Sequence, residues 1–549
     1  MNLPEEAQLQ FRQVARRLEV MSACVLTLQQ RRRLWPAASP TTHPITQVGK
    51  PGTRNEPRYL IAALALAGAV ALAAISRNSF WIDEGWSAYK AIQPTFSSWW
   101  GAMLWEHNQN TLLPLYMFFL WVWEKVFGPG EWALRMLNAP CFLLTVVGLW
   151  LAFREDQRRF CFSIIFLGSN AFVWFYLDQA RPYTLLLMGS TLLFAGAYRL
   201  GLMRSEFTRR WAYYLAVSAL LLSATSIIGA VWSAATLIAL WCMRGWRFPV
   251  IFFRASLGAF SLLCVGLLLM AGYYLWWLHM GMDARSLKST SVMNVAFVPY
   301  ELLGFAGLGP GRNALRDHPL SVLGEYSVPL AIYGLLWTGL VLRTCKRLYT
   351  QATQRRRVVF YGLLATPGAV LILVAYWLDL RLLPRHLTPL MPLVICLAGW
   401  LLERSWKHGL PGKALVAGFM IVSLVSAGQI RLATRHRQDN YRHAAAIAEH
   451  EISAGRTVLW AADRHTALYY GVVADKDRDT GSSMLMIGDL AGEHLRLKPS
   501  AVLLSKHDLY DPEGRISSYV RANGYTLSES FEAFELWVLR PTNHSAATN

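Results

Sequence analysis

The chain has 549 residues, 54% hydrophobic and 13% aromatic against 16% charged, and apolar runs of about 20 residues recur along most of it, which indicates an integral membrane protein and excludes a soluble enzyme. Its formal net charge of +19 comes from Arg and Lys clustered in short segments between those runs. The positive-inside rule requires that of cytoplasmic loops, so topology explains the basicity and no nucleic-acid partner is called for. The seven cysteines (Cys24, Cys141, Cys161, Cys242, Cys264, Cys345, Cys396) form no CxxC pair and none lies in the long C-terminal tail, so neither a disulfide framework nor a thiolate metal site is implied.

Residues 1–57 are polar and basic, with Arg12, Arg16, Arg17, Arg31, Arg32 and Arg33, and read as a cytoplasmic arm with one surface helix near 5–30; a later start codon is the alternative. The first span, 59–78, delivers Asp83 and Glu84 to the outer face. Arg154, Arg158 and Arg159 then mark the cytoplasm, which leaves room for one crossing at 132–153. The apolar run 112–127 is therefore assigned to a helix lying on the outer surface, inside an external loop spanning 79–131. Charge places the later crossings at 160–178, 183–200, 211–225, 227–243, 249–278, 320–342, 359–378, 387–402 and 412–430, with a second external loop at 279–318. The expected fold is an α-helical polytopic membrane protein with about 11 transmembrane helices over 58–430. Residues 431–549 then lie outside; 14 Lys and Arg against 15 Asp and Glu, with strand-like runs at Thr457–Ala461, Ala501–Leu504 and Glu535–Leu539 between helical segments Tyr441–Ser453 and Ile516–Asn523, predict a small soluble α/β domain there.

Four polar clusters fall on the outer side. Asp83 and Glu84 stand in the aromatic frame Phe80-Trp81-Ile82-Asp83-Glu84-Gly85-Trp86; an acidic pair at a span mouth is costly unless it pairs, binds a cation or handles a proton, which marks a functional site. The others are Glu106-His107-Asn108-Gln109-Asn110, answered by Glu131 and Arg135; the turn Asp178-Gln179-Ala180-Arg181-Pro182-Tyr183; and the turn carrying Asp379, Arg381, Arg385 and His386. One face thus gathers carboxylates and arginines at membrane depth, which suits a substrate that is part lipid and part anion, such as a lipid-linked phosphate. His279, Asp283 and Lys288 read as a wet loop, and His465, His494 and His507 lack metal-ligand spacing.

The stretches Phe80–Ser87, Asn110-Thr-Leu-Leu-Pro-Leu-Tyr116 leading to Glu131 and Arg135, Gln179-Ala-Arg-Pro-Tyr183 and Arg385-His-Leu-Thr-Pro-Leu-Met-Pro392, in that order, resemble the protein O-mannosyltransferase and lipid A aminoarabinose transferase group, glycosyltransferases of family 39 and 83 type with the GT-C fold. The departure is at His107–Asn110, where many relatives carry a His-Pro-Pro-like entry to the surface helix. The resemblance covers about 59–400 and implies a polyprenyl-monophosphate sugar donor, inversion at the anomeric carbon, and a base from the first external loop, here Asp83.

The expectation is a membrane glycosyltransferase of the bacterial inner membrane, with its site and C-terminal domain periplasmic and a glycan, lipid or protein as acceptor. Asp83 and Glu84 are the catalytic candidates; Arg181, Tyr183, Arg385, Arg381 and Arg135 the donor-phosphate and lipid candidates; His107, Asn108 and Asn110 acceptor or loop support. No metal ligands are assigned and no cofactor is required, though a divalent cation could assist. The alternative is a transporter or flippase for a lipid-linked glycan, which should show polar or broken spans near the midplane; here the unusual polar groups sit at the outer span ends.

Overall fold

The computed structural model describes residues 56–104, 109–280, 292–317, 319–345, 352–377, 382–472, 484–486, 495 and 498–539. Among these, nine helices are long and apolar enough to cross a bilayer: Pro57–Ala74, Glu131–Phe153, Tyr183–Leu202, Ile227–Arg244, Leu257–His279, Ser327–Thr344, Arg357–Trp377, Pro384–Trp406 and Gly409–Leu432. The pair Gln157–Ser169 and Ala171–Leu177, bent by 60° at Asn170, is a tenth candidate, a broken span or a re-entrant loop by its length and composition. The Asn170 amide caps the second helix by accepting from the Val173 N–H at 3.3 Å and ties the bend to the Leu302 carbonyl at 3.1 Å. The eleventh expected span is the helix Arg209–Thr225, whose 17 residues put it at the short end of what crosses hydrocarbon.

Two boundaries differ from the sequence expectation. The run 249–278 is two helices, Phe248–Ala255 and Leu257–His279, because Ser256 adopts an extended backbone and its hydroxyl caps the Ala259 N–H at 3.2 Å. The first helix stops at Ala74, so the acidic pair follows a stretch without regular structure and opens a new helix, Ile82–Ala91. Pro114–Phe127 is a helix of 14 residues, about 21 Å long and too short to span. The second external segment is partly helical, with Val292–Leu302 and Arg312–Asp317 flanking a glycine-rich turn, whereas Asp283 and Lys288 lie outside the described residues.

The helical core is packed around Tyr183–Ala197, buried along nearly its whole length. The C-terminal residues form a sheet of five strands, β1 (Val458–Ala461), β2 (Met484–Met486), β3 (Ala501–Ser505), β4 (Tyr525–Phe531) and β5 (Phe534–Leu539), in the order β2-β1-β3-β5-β4. β1 runs parallel to β2 and β3, while β5 is antiparallel to β3 and β4. The unbroken apolar runs of β1 and β3 suit central strands covered on both faces. Val458, Trp460 and Leu503 pack against Tyr441, Ala444 and Ala448 of one helix; Leu459, Val502 and Leu504 pack against Ile516 and Val520 of another. β2 and β4 were not legible: the first has three residues, and the second, Tyr-Thr-Leu-Ser-Glu-Ser-Phe, is largely exposed.

Candidate active site

The site forms where four segments meet at one end of the bundle: the helix Ile82–Ala91, the 3-10 turn Gln109–Leu112, the turn 178–182 that opens helix Tyr183–Ala197, and the 3-10 turn Pro384–Leu390 that opens helix Met391–Trp406. Consecutive residues on a helix point about 100° apart, so Asp83 and Glu84 must face different surroundings. Asp83 turns to Arg385 and stays partly exposed; Glu84 turns inward and is fully buried.

Glu84 and Arg135 form a two-pronged pair, with Nε to Oε1 at 2.8 Å and Nη2 to Oε2 at 2.7 Å. Arg135 also donates to the carbonyls of Asn78 at 2.7 Å and Ser79 at 3.2 Å and lies over the Phe80 ring, so one guanidinium gathers the irregular stretch ahead of the acidic helix. Glu84 Oε1 in turn accepts the Ala180 N–H at 2.7 Å, and the Asn138 amide donates to the carbonyls of Leu177 at 3.0 Å and Gln179 at 2.5 Å. The turn that presents Arg181 is therefore fixed from both sides, and Pro182 at its end sets the entry to the next helix.

Arg181 is 4% exposed. Its Nη1 donates to the Asp83 carbonyl at 3.1 Å, the Ser87 hydroxyl at 2.9 Å and the Asn110 amide oxygen at 2.9 Å. All three acceptors are neutral, the Arg181 Nε is buried without a hydrogen-bond partner, and no carboxylate among the described residues pairs with this guanidinium. A buried cation whose hydrogen bonds all go to neutral acceptors is costly in a protein interior and favours an incoming anion, although the nearby Asp83 carboxylate offsets part of its charge.

Arg385 stands on the first turn of Pro384–Leu390, whose start is set by Pro384 and by the Leu383 N–H donating to His386 Nδ1 at 3.3 Å. Its Nη1 lies 3.0 Å from Asp83 Oδ2, and its guanidinium is 5.7 Å from the centre of the Trp81 ring and 5.8 Å from that of Tyr183. Burial alone would push the Asp83 carboxyl up, but Arg385, Arg181, Lys506 and His386 together hold it below its ordinary value. Asp83 is thus a carboxylate at neutral pH.

The structure brings Asp83, Arg181, Tyr183, Arg385 and Asn110 together and sets Glu84 and Arg135 behind them as a paired support. His107, Asn108 and Arg381 lie outside the described residues. Sequence reasoning did not single out Glu301 and Arg312, paired at 2.9 Å and near Arg385, with Arg312 also donating to the Tyr176 hydroxyl at 3.4 Å. Their signal was the run Gly304–Gly311 between them, tight turns that pack under Ser426 and Arg435. It also passed over Lys506, which follows β3; its ammonium lies 5.6 Å from the Trp81 ring centre and pairs with Asp439 at 2.6 Å. Nothing in the sequence around Lys506 distinguished it from a surface lysine.

Lys506 comes close to Trp81 and Asp83 because the C-terminal domain docks on the acidic helix. The Phe80 N–H donates to the Tyr470 hydroxyl at 2.9 Å, the Trp86 indole donates to Asp463 at 2.5 Å, and the Tyr469 hydroxyl donates to the Pro129 carbonyl at 2.6 Å. Gly85 faces Thr466 so closely that a Cβ would overlap the threonine side chain, itself held by Asp463. Among the described residues no group of three or more His, Cys, Asp or Glu side chains converges as a metal site would require.

No family model matches the chain, nor does any curated protein. Among solved structures, ArnT from Cupriavidus metallidurans bound to undecaprenyl phosphate is similar at 14% identity and a TM-score of 0.47, over 87% of this chain and 98% of that one. The arabinofuranosyltransferase AftD from Mycobacteria is similar at 14% identity and a TM-score of 0.45, over 89% of this chain and 40% of that one. The oligosaccharyltransferase AglB from Archaeoglobus fulgidus, in complex with an inhibitory peptide and a dolichol-phosphate, is similar at 11% identity and a TM-score of 0.44, over 89% and 75%. All three are glycosyltransferases of the GT-C fold.

Proposed function

We propose that the chain is a membrane glycosyltransferase that moves a sugar from a polyprenyl-monophosphate donor to an acceptor hydroxyl, with inversion, at the outer face of a bacterial inner membrane. The observation that carries this reading is Arg181: a buried guanidinium with neutral partners, beside Arg385 and an ionised Asp83, is built to receive a phosphate next to a base.

In this mechanism the acceptor hydroxyl gives its proton to Asp83 while its oxygen attacks the anomeric carbon from the face opposite the phosphate. The bond from that carbon to the phosphate oxygen breaks, its electron pair stays on the phosphate, and the phosphate charge rises from about −1 to about −2, which Arg181 and Arg385 stabilise. No general acid is needed, because a phosphate leaves readily. Arg385 also couples binding to basicity: when it turns part of its charge to the phosphate it pulls less on Asp83, and the carboxylate becomes the stronger base with the donor in place. Tyr183 forms a wall of the pocket, Asn110 holds the Arg181 fork, and Glu84 with Arg135 positions the acidic helix and the Arg181 turn.

The test is mass spectrometry of envelope glycans, lipids and glycoproteins from cells carrying the wild-type gene, a deletion or an Asp83→Asn allele. The same defined sugar should be missing from the deletion and the Asp83→Asn cells. Identical profiles in all three would remove the proposal.

A further inference from the structure

Two cations flank the Trp81 ring at nearly equal range, Arg385 at 5.7 Å and Lys506 at 5.6 Å, and they come from opposite ends of the architecture. Arg385 opens a membrane helix, whereas Lys506 follows a central strand of the C-terminal sheet. Both side chains are withdrawn from solvent, at 15% and 9% exposure. Arg181 and His386 add to Arg385 and Lys506 in lowering the pKa of the Asp83 carboxyl, while Asp439 pairs with Lys506 and Glu301 acts on Arg385. Lys506 also has a left-handed backbone, with φ of 35°, a conformation a non-glycine residue adopts at a cost and which the surrounding packing must enforce.

We infer that the C-terminal domain completes the phosphate subsite, with Lys506 as its third cation. This rests on the glycosyl-transfer reading and deepens it. An ammonium has three donors; Asp439 takes one and orients the side chain over Trp81, leaving donors for an anion at the ring edge. A single arginine suffices for a phosphodiester of charge about −1, but the released monophosphate approaches −2, and a further cation matters most at that stage. Lys506 therefore affects the monophosphate product more than the donor, and it makes the site depend on a docked domain.

Binding of undecaprenyl phosphate and of undecaprenol to the full chain in nanodiscs tests this, with Lys506→Gln, Lys506→Arg and the double variant Lys506→Gln with Asp439→Asn, the last removing the pair without stranding a buried carboxylate. The inference expects Lys506→Gln and the double variant to lose about tenfold in affinity for undecaprenyl phosphate with undecaprenol unchanged, and Lys506→Arg to keep most of it. A parent that prefers the phosphate, with variants that keep that preference within about twofold, overturns this inference alone. Equal losses for both lipids make Lys506 a docking residue and overturn it as well. A parent that binds the two lipids alike overturns the glycosyl-transfer reading and takes this inference with it.

Discussion

At the level of single residues, the proposed mechanism makes Asp83 the base and Arg181 the clamp, and substitutions separate the two roles. Asp83→Asn should lower turnover by about a hundredfold or more while the protein stays folded and still binds undecaprenyl phosphate, because only the proton acceptor is removed. Arg181→Ala should weaken both binding and turnover, on the order of 2–4 kcal/mol in the transition state, and Arg181→Lys should restore only part, supplying charge without the planar fork. Steady-state rates beside binding constants check both; an Arg181→Ala variant within about twofold of the parent would make this side chain a span anchor. Arg385→Gln tests the electrostatics. Arg385, Arg181, Lys506 and His386 hold the Asp83 carboxyl down against the upward push of burial, so deleting Arg385 moves its pKa up. Asp83 acts as a carboxylate, so the acid limb of the kcat/KM profile should move to higher pH. An unmoved limb would show that another group controls it. Asp83, Arg181 and Arg385 were readable as candidates because carboxylates and arginines gathered at the ends of spans away from the basic cytoplasmic loops stand out. The choice of Asp83 over Glu84 rests on the resemblance; that Glu84 is buried against Arg135 and the Ala180 N–H was not readable, since those partners come from segments remote in sequence.

At the level of elements, the helix Ile82–Ala91 is held between the bundle and the C-terminal domain, and Gly85 is its point of closest approach. Gly85→Ala should destabilise the docked domain by about 1–3 kcal/mol, since Thr466 is fixed by Asp463 and cannot swing away; combining it with Thr466→Gly should recover most of the loss. Limited proteolysis of the C-terminal domain reads this directly. The same interface responds to acid. His465, which packs on Trp86 and Tyr89, has its pKa pushed down to about 3 by burial, with Lys90 and Arg464 adding to it. Unfolded or undocked, the imidazole takes up a proton near its ordinary value of about 6.5, so that state binds more protons between those pH values and docking weakens as pH falls from about 6.5 towards 3. His465→Phe should flatten that dependence in a proteolysis series; an unchanged slope would place its origin elsewhere. The spans, with their long apolar runs, were legible element by element. The breaks at Asn170 and Ser256 were not, because one polar residue in an apolar run signals a cap only once its partners are known.

For the whole molecule, the Tyr469–Pro129 hydrogen bond puts the first large loop and the C-terminal domain on one side of the bundle. In a cysteine-free background, Gly130→Cys and Asn523→Cys should label from the outer face and Arg158→Cys from the cytoplasm only; labelling of the first two from opposite sides would break the topology. The domain as an α/β unit was foreseeable from its change of composition, but its attachment to the acidic helix was not, since aromatic and glycine contacts across nearly 400 positions leave no local pattern. That attachment has a consequence for biogenesis. β5 supplies a neighbour for both β3 and β4, so the sheet cannot close until Phe534–Leu539 has left the ribosome and been exported, long after Asp83 has reached its place beside the membrane. During synthesis the acidic helix waits without its cover, and a nascent chain with Asp83 already exposed lacks the last cation and the docked wall. Until the sheet closes, the segment around Phe80 and Trp86 lacks the hydrogen bonds that Tyr470 and Asp463 supply.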